Sequence, residues 1–288
     1  MSDDQITSSP STLEVEHLAA FSDDERGGNP AGVVIDETIP DADLMQRLAT
    51  EVGYSETAFL TRTASGWRVR YFAPVGEVPF CGHATIASGA VLGQRFGGGV
   101  YPLELNNGNA TVEAFRDERG QWGATLTSPP PNHRRTPEDL REETLAAFSL
   151  GTDDLDHELP DTLASAGAHH LFLFLRQRET LAAMRYPFDP VRSLMLGHGL
   201  TTIALVWRES QKLFHARNAF ASGGVYEDPA TGAAAAALGG YLRTSGLVDG
   251  PFTIIQGEDM GQRSVLHVDA GTNSERGVRV SGLVRKLP

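Results

Sequence analysis

The strongest constraint on what this chain can fold into is a short pattern that occurs twice. Glu77, Cys81, Gly82, Ala84, Ala87 and Leu92 return as Glu227, Thr231, Gly232, Ala234, Ala237 and Leu242, each 150 residues later. A fixed offset near half the length of a 288-residue chain points to duplicated halves. In each copy a glycine leads into a run of small apolar residues, 84–92 and 233–238, that reads as a buried helix.

The rest of the pattern supports two halves of mixed α and β structure. A chain of this length exceeds one ordinary hydrophobic core, so two cores are expected. The segment Ser128-Pro129-Pro130-Pro131-Asn132 cannot continue a central strand. It therefore connects a first half at 13–127 to a second at 133–276, with a C-terminal strand at about 277–288 returning to the first half. Residues 13–21 read as a strand, and the loop at 22–30 is closed by Asn29-Pro30. Leu44, Met45, Leu48 and Val52 mark an amphipathic helix over 41–52. Extended runs at 57–61 and 67–72 form a hairpin, and 103–126 holds two or three strands with turns at Asn107-Gly108 and Arg119-Gly120. The second half shows a helix at 137–148, strands at 170–175 and 202–206, and an alternating region at 213–220. With 31 glycines, the chain reads as a turn-rich α+β protein.

A formal net charge of −13 disfavours polyanions, so neither nucleic acid nor an anionic membrane is an expected partner. Residues 1–12 are polar and lack the apolar stretch of a secretion signal, and no run approaches the roughly 18 apolar residues needed to span a bilayer. The single cysteine, Cys81, excludes an internal disulfide, and no Cys/His spacing resembles a zinc site. His169-His170 reads as a satisfied or surface pair. Gly197-His198-Gly199 is only a fragment of a dinucleotide fingerprint. The expectation is a cytoplasmic protein with no cofactor and no metal, acting on a small carboxylate.

Gly82 and Gly232 open the two small-residue helices, where backbone N–H groups without helical partners bind carboxylates. Two such ends facing one cleft would hold an acid group and stabilise negative charge developing on it. The same glycines also serve helix-start geometry alone. His83 follows Gly82, and a neutral imidazole there donates or accepts a hydrogen bond. Asp228 either caps the second helix or works in the cleft. Glu56, within Tyr54-Ser55-Glu56-Thr57, is a general base if it points into a closing cleft and a solvated residue otherwise.

Read together, Gly28-Asn29-Pro30-Ala31-Gly32-Val33-Val34, Ser55-Glu56-Thr57, Gly76-Glu77-Val78-Pro79-Phe80-Cys81-Gly82-His83-Ala84-Thr85 and Glu227-Asp228-Pro229-Ala230-Thr231-Gly232 resemble the motifs of the PhzF-like family in order and spacing. The resemblance implies a diaminopimelate-epimerase-like fold: two pseudo-symmetric halves, each a curved sheet or half-barrel around a central helix, with the active site between them. It implies Glu56 as the acid/base, with His83 and Asp228 assisting. It also implies that Asn29, Ser55, Cys81, Gly82, Thr231, Gly232 and Ala233 line the substrate pocket, and that the assembly is a homodimer serving secondary-metabolite (antibiotic) biosynthesis. Two positions depart from the pattern: Ala233 stands where serine is common, and Gln262 stands where the family places arginine. The lost hydroxyl suggests a substrate other than the dihydro-hydroxyanthranilate that precedes phenazines.

Fold relatives that racemise amino acids use two thiols, one at each helix start. Here Cys81 is answered by Thr231, whose hydroxyl is too weak an acid to replace a thiolate. A one-base proton shift is left. It needs a C–H acidified by conjugation, because a carboxylate with a pKa of roughly 4 to 7 cannot deprotonate an ordinary α-carbon. The expected activity is an isomerase that migrates a double bond in a small conjugated cyclic amino acid or related carboxylate. Two alternatives stand beside it: a dehydratase or lyase of the hydroxyproline type using Cys81 and Thr231, and a non-catalytic binding protein that keeps the pocket.

Overall fold

In the computed structural model, which describes residues 13–272 and 277–288, the two small-residue helices each sit inside a wrapped sheet. The polar segment at 1–12 and the last part of the expected second half, 273–276, lie outside the described residues. The first half runs β1 (Glu16–Ser22), β2 (Asn29–Asp36), α1 (Ala42–Val52), β3 (Glu56–Arg62), β4 (Trp67–Ala73), β5 (Gly76–Val78), α2 (Gly82–Phe96), β6 (Gly99–Leu105), β7 (Gly108–Arg116) and β8 (Trp122–Thr127). The chain continues through β9 (Asn132–Arg135), α3 (Glu138–Ala147), β10 (Thr162–Ser165), β11 (His169–Leu175), α4 (Arg178–Ala182), α5 (Phe188–Gly197), β12 (Thr202–Ser210), β13 (Leu213–Ala219), β14 (Glu227–Asp228), α6 (Gly232–Thr244), β15 (Phe252–Gln256), β16 (Ser264–Asp269) and β17 (Arg279–Lys286).

The pairing pattern repeats link for link. β1/β2 is antiparallel, β2/β3 parallel and β3/β4 antiparallel; β4 is antiparallel to β5 and parallel to β6, and β6, β7 and β8 follow antiparallel. β10/β11 is antiparallel, β11/β12 parallel and β12/β13 antiparallel; β13 is antiparallel to β14 and parallel to β15, and β15, β16 and β17 follow antiparallel. The register repeats as well: Phe72 faces Glu77 in one half, and Ala219 faces Glu227 in the other. Two residues before each of these, Arg70 and Arg217 hold those glutamates in two-pronged ion pairs. β17 pairs with β16 and also with β8 and β1, which joins the halves into one sheet.

Small residues in the central helices let the sheets close tightly. A Cβ added at Gly89 of α2 would lie 2.5 Å from a Val112 methyl of β7, and one at Gly239 of α6 would lie 2.7 Å from a Val268 methyl of β16. The same contact is therefore built twice, 150 residues apart. This close approach changes the core that length alone suggests. Ala84, Ile86 and Ala87 of α2 and Ala234 to Leu238 of α6 belong to a single buried cluster running through both halves. Smaller clusters lie outside it, under α3 to α5 and under α1.

Several local expectations meet the structure directly. The α1 helix starts where Asp41 Oδ1 accepts from Leu44 N–H, and it stops at Gly53 with φ 71°. The hairpin of β3 and β4 and the strands β6 to β8 fall where alternation placed them. Two details differ. Asn29-Pro30 does not close a loop but begins β2, paired with Ala20 and Ala19. Helices α4 and α5, together with the short strands β9, β10 and β14, escape periodicity because they are brief or only partly amphipathic. Gly197, in the fragment of a dinucleotide fingerprint noted above, ends α5. Among the described residues, no helix is long and apolar enough to cross a membrane.

Candidate active site

The two copied helix starts meet. A Cβ built on Gly82 would lie 3.7 Å from both Gly232 Cα and Ala233 N, so the first turns of α2 and α6 converge. The N-cap residues, Cys81 and Thr231, make no side-chain capping bond. The amides of each first turn have no carbonyl four residues back to bond, and here two such turns open on one crevice.

On the first-half side, three groups surround His83 Nε2: Ser55 Oγ at 3.3 Å, Glu56 Oε2 at 3.4 Å and Cys81 Sγ at 3.8 Å. The sulfur is closer to the other ring nitrogen, Nδ1, at 3.4 Å. Glu56 reaches this point because it opens β3 opposite Ala31 of β2, and His83 because it is the second residue of α2. Glu56 Oε2 is shielded from solvent and has no hydrogen-bond partner among the described residues. The donor atoms of Glu56, Cys81 and His83 all lie within 4.8 Å of one another, which makes these three the candidate metal ligands among the described residues.

On the second-half side, Asp228 is buried in β14, where it faces Asn218. It does not cap α6. Its Oδ1 accepts from Asn29 Nδ2 at 2.7 Å, and its Oδ2 accepts from the Thr231 hydroxyl. Asn29 Nδ2 also donates to Ala230 O at 3.0 Å. Burial pushes the Asp228 carboxyl up to about 6, against the pull of His83 and of the hydrogen bonds from Thr231 and Asn29; the Glu56 charge adds to the push. Burial, then the Glu56 charge, drives the Cys81 thiol well above its ordinary range, and a hydrogen bond from the Ala84 amide offsets only part of this.

A continuous chain of contacts thus links Ser55, Glu56, Cys81, Gly82 and His83 to Gly232, Ala233, Thr231, Asp228 and Asn29. Gln256 escaped sequence reading although it holds the second side together. Its Nε2 donates to Asp228 O at 2.7 Å, and its Oε1 accepts from Thr231 N–H at 3.1 Å. The available signal was a glutamine closing the apolar run of β15. Arg263, next to Gln262, does not stand in for the arginine that the family pattern places at Gln262. Its side chain is held at the surface by Asp23 and Glu258. His170 is buried, with Nδ1 2.7 Å from the Thr202 hydroxyl, and His169 is exposed.

Known proteins share this sequence pattern and fold. An uncharacterized isomerase of Deinococcus radiodurans is 32% identical over 275 residues, covering 92% of this chain and 88% of that protein. The trans-2,3-dihydro-3-hydroxyanthranilate isomerase of Pseudomonas fluorescens is 29% identical over 268 residues, covering 91% of this chain and 92% of that one. The crystal structure of a PhzF-family phenazine biosynthesis protein from Bacillus anthracis has the same fold, with a TM-score of 0.83 at 24% identity over 96% of this chain and 97% of that one. Residues 18–284 match the phenazine biosynthesis-like protein family, PhzC-PhzF. The two-half, epimerase-like architecture is therefore shared with proteins named as isomerases, and the chain belongs to the PhzC-PhzF family.

Proposed function

We propose that this isomerase shifts a proton between two carbons of a small conjugated cyclic amino acid or related carboxylate, with Glu56 as its one acid/base. The observation that carries this reading is Glu56 Oε2, closed off from water, without a hydrogen-bond partner among the described residues and 3.4 Å from His83 Nε2. A carboxylate oxygen left free in a dry crevice is available to a carbon-bound proton.

The asymmetry of the halves supports a single base. Thr57 faces Phe72, which faces Glu77; Ile203 faces Ala219, which faces Glu227. Thr202 therefore holds in the second half the place that Glu56 holds in the first, and Ala233 likewise answers to His83. The second half has no acid–base pair at that place. Glu56 takes a proton from an sp³ carbon, and the electron pair enters the conjugated system. Negative charge reaches the substrate carboxylate, which the first amides of α2 and α6 hold. Glu56 then returns the proton to another carbon, and the double bond has moved. His83 orients the Glu56 carboxylate, and Asp228, fixed by Asn29 and Thr231, receives a substrate N–H or O–H.

The lyase alternative needs a thiolate at Cys81 and a free hydroxyl at Thr231. Burial opposes the first, and the bond to Asp228 occupies the second. Ala233 and Gln262 favour a substrate other than that named for the Pseudomonas fluorescens relative. Cytoplasmic secondary metabolism, with a homodimer as the assembly, goes with the same reading. Incubation with cyclic diene amino acids in deuterated water tests it. A change in ultraviolet absorption with one deuteron gained, absent in Glu56→Gln, is expected. Loss of water from the product, ligand-induced stabilisation without conversion, or undiminished turnover by Glu56→Gln would overturn it.

A further inference from the structure

We propose that Gln256 is a positioning residue for the site: it sets the direction of the Thr231 hydroxyl and, through it, keeps Asp228 a hydrogen-bond acceptor. Only the consequence for turnover rests on the isomerase reading above. Gln256 is 2% exposed, and backbone groups assign both ends of its amide. The Thr231 N–H can only donate, so the atom 3.1 Å from it is Oε1; the Asp228 carbonyl can only accept, so the atom 2.7 Å from it is Nε2. That Nε2 also lies 3.1 Å from Thr231 Oγ and has no lone pair to accept with, so it donates there. The hydroxyl is left to give its one proton to Asp228 Oδ2. Asn29 is oriented in the same way: Ala230 O fixes Nδ2, which donates to Asp228 Oδ1. Each carboxylate oxygen of Asp228 therefore receives a donor whose direction traces back to a backbone group.

The fold does not demand an amide at this place. Arg70 and Arg217 hold matching positions, so Arg68 and His215, two residues earlier in each strand, match as well. Arg68 faces Glu104 of β6 and His215 faces Ile255 of β15, so the next residues along, Leu105 and Gln256, are counterparts. The first half packs a leucine against the core there, whereas the half that carries Asp228 places an amide. The titratable groups around Asp228 are Glu56 from β3 and Cys81 and His83 from the start of α2, all on the first-half side. On its own side, the bond from Thr231 favours the ionised carboxylate against burial, as does the bond from Asn29. Loss of Gln256 releases the Thr231 hydroxyl from its direction. Asp228 then holds a proton more tightly and serves less well as the acceptor for a substrate N–H or O–H.

Titration of the Asp228 carboxyl by carbonyl-labelled NMR, with Asp228→Asn to assign the signal, tests the proposal without substrate. Thr231→Val deletes the donor outright and should raise the Asp228 midpoint by about one pH unit or more. Gln256→Met brings no new charge and should raise it by a smaller amount. Combined with Thr231→Val it should raise the midpoint no further, because Gln256 acts through the hydroxyl. Gln256→Glu keeps an acceptor for the Thr231 N–H but, when ionised, puts a second acceptor where the donor was. It should raise the midpoint more than Gln256→Met does, and by less in the Thr231→Val background. Thermal melting shows which variants fold, and either Gln256 variant alone decides. A folded Gln256 variant with the wild-type midpoint, or shifts that add in full in the double variant, would make Gln256 a structural prop and overturn the proposal. A failed titration leaves the isomerase reading standing, and the expected shifts in a protein that converts no substrate leave the positioning role standing.

Discussion

Asn29 in the first half donates from Nδ2 to Oδ1 of Asp228 in the second half at 2.7 Å, across 199 residues of chain. Asn29 is 2% exposed, so this bond forms away from water at the seam where the two helix starts meet. It fixes the Asp228 carboxylate of the second half relative to β2 of the first. The site is therefore assembled by the docking of the halves and by neither half alone.

Asn29→Ala should cost about 1.5–3 kcal/mol of stability, the usual loss for a buried hydrogen bond to a charged group. It should also raise the Asp228 carboxyl further, because the lost donor favoured the ionised form. Denaturant unfolding reads the first effect, and a carbonyl-labelled NMR titration reads the second. A variant as stable as wild type would show that the seam does not depend on this bond.

Glu56→Gln should reduce turnover by about 10²–10⁴-fold, the range for loss of a general acid/base. Glu56 Oε2 makes no hydrogen bond among the described residues, and glutamine keeps the shape that meets His83 Nε2 at 3.4 Å, so the melting temperature should hardly move. Glu56→Asp, one methylene shorter, should fall between the two in rate. Steady-state kinetics beside thermal melting separate a chemical loss from a folding loss.

The duplication was legible because it rests on side-chain size. Glycines and alanines at fixed spacing are required wherever two wrapped sheets close on a helix, and Gly89 and Gly239 show that requirement twice. The site was legible at Gly82, Gly232, His83 and Asp228 because they adjoin those helix starts, and at Glu56 through the family motif. Gln256 was not legible, since a polar residue ending a strand looks the same whether it meets water or Asp228. Nor could the sequence choose between a capping and a cleft role for Asp228, because that depends on Asn29 arriving from the other half.

Two buried groups give opposite pH slopes to stability. Asp228 is raised from 3.8 to about 6, so the folded state binds its proton more tightly, and stability is lost as pH rises through that window. Burial lowers His170 from 6.5 to about 3, so stability is lost as pH falls through that window. Each contributes about 1.4 kcal/mol per pH unit between about pH 4 and 6, and the two nearly cancel. Asp228→Asn should unmask the histidine arm. Its stability relative to wild type should grow from pH 4 to 6 by about 3 kcal/mol in all and level off above. Urea unfolding at four pH values measures this, and a flat difference would mean that Asp228 titrates normally.

Cys81 is buried, and its thiol is held well above the ordinary range. Native protein at pH 8 should therefore react with iodoacetamide far more slowly than the urea-unfolded chain, since only the thiolate attacks. Mass spectrometry of timed samples reads the ratio. Equal rates would restore a catalytic thiolate and with it the lyase alternative.

Gly82 and Gly232 occupy matching places but differ in surroundings, so alanine should act differently at each. At Gly82 the nearest atoms that the added methyl meets across the seam are Gly232 Cα and the Ala233 and Gly232 amide nitrogens, at 3.7–3.9 Å, an ordinary contact. Alanine is the better helix former by up to about 1 kcal/mol, so Gly82→Ala should fold as stably as wild type or slightly more so. Its methyl nevertheless stands between the two sets of amides that are to hold the substrate carboxylate, and KM should rise. At Gly232 the methyl would come within 3.3 Å of the Phe21 ring, which is fully buried and anchored by a residue already at φ 61°. Phe21 has little freedom to yield, so Gly232→Ala should cost about 1–3 kcal/mol. Melting curves and KM measured together on both variants separate the two effects. If Gly82→Ala left KM unaltered, the paired amides would not be the carboxylate grip, whatever the fate of Glu56.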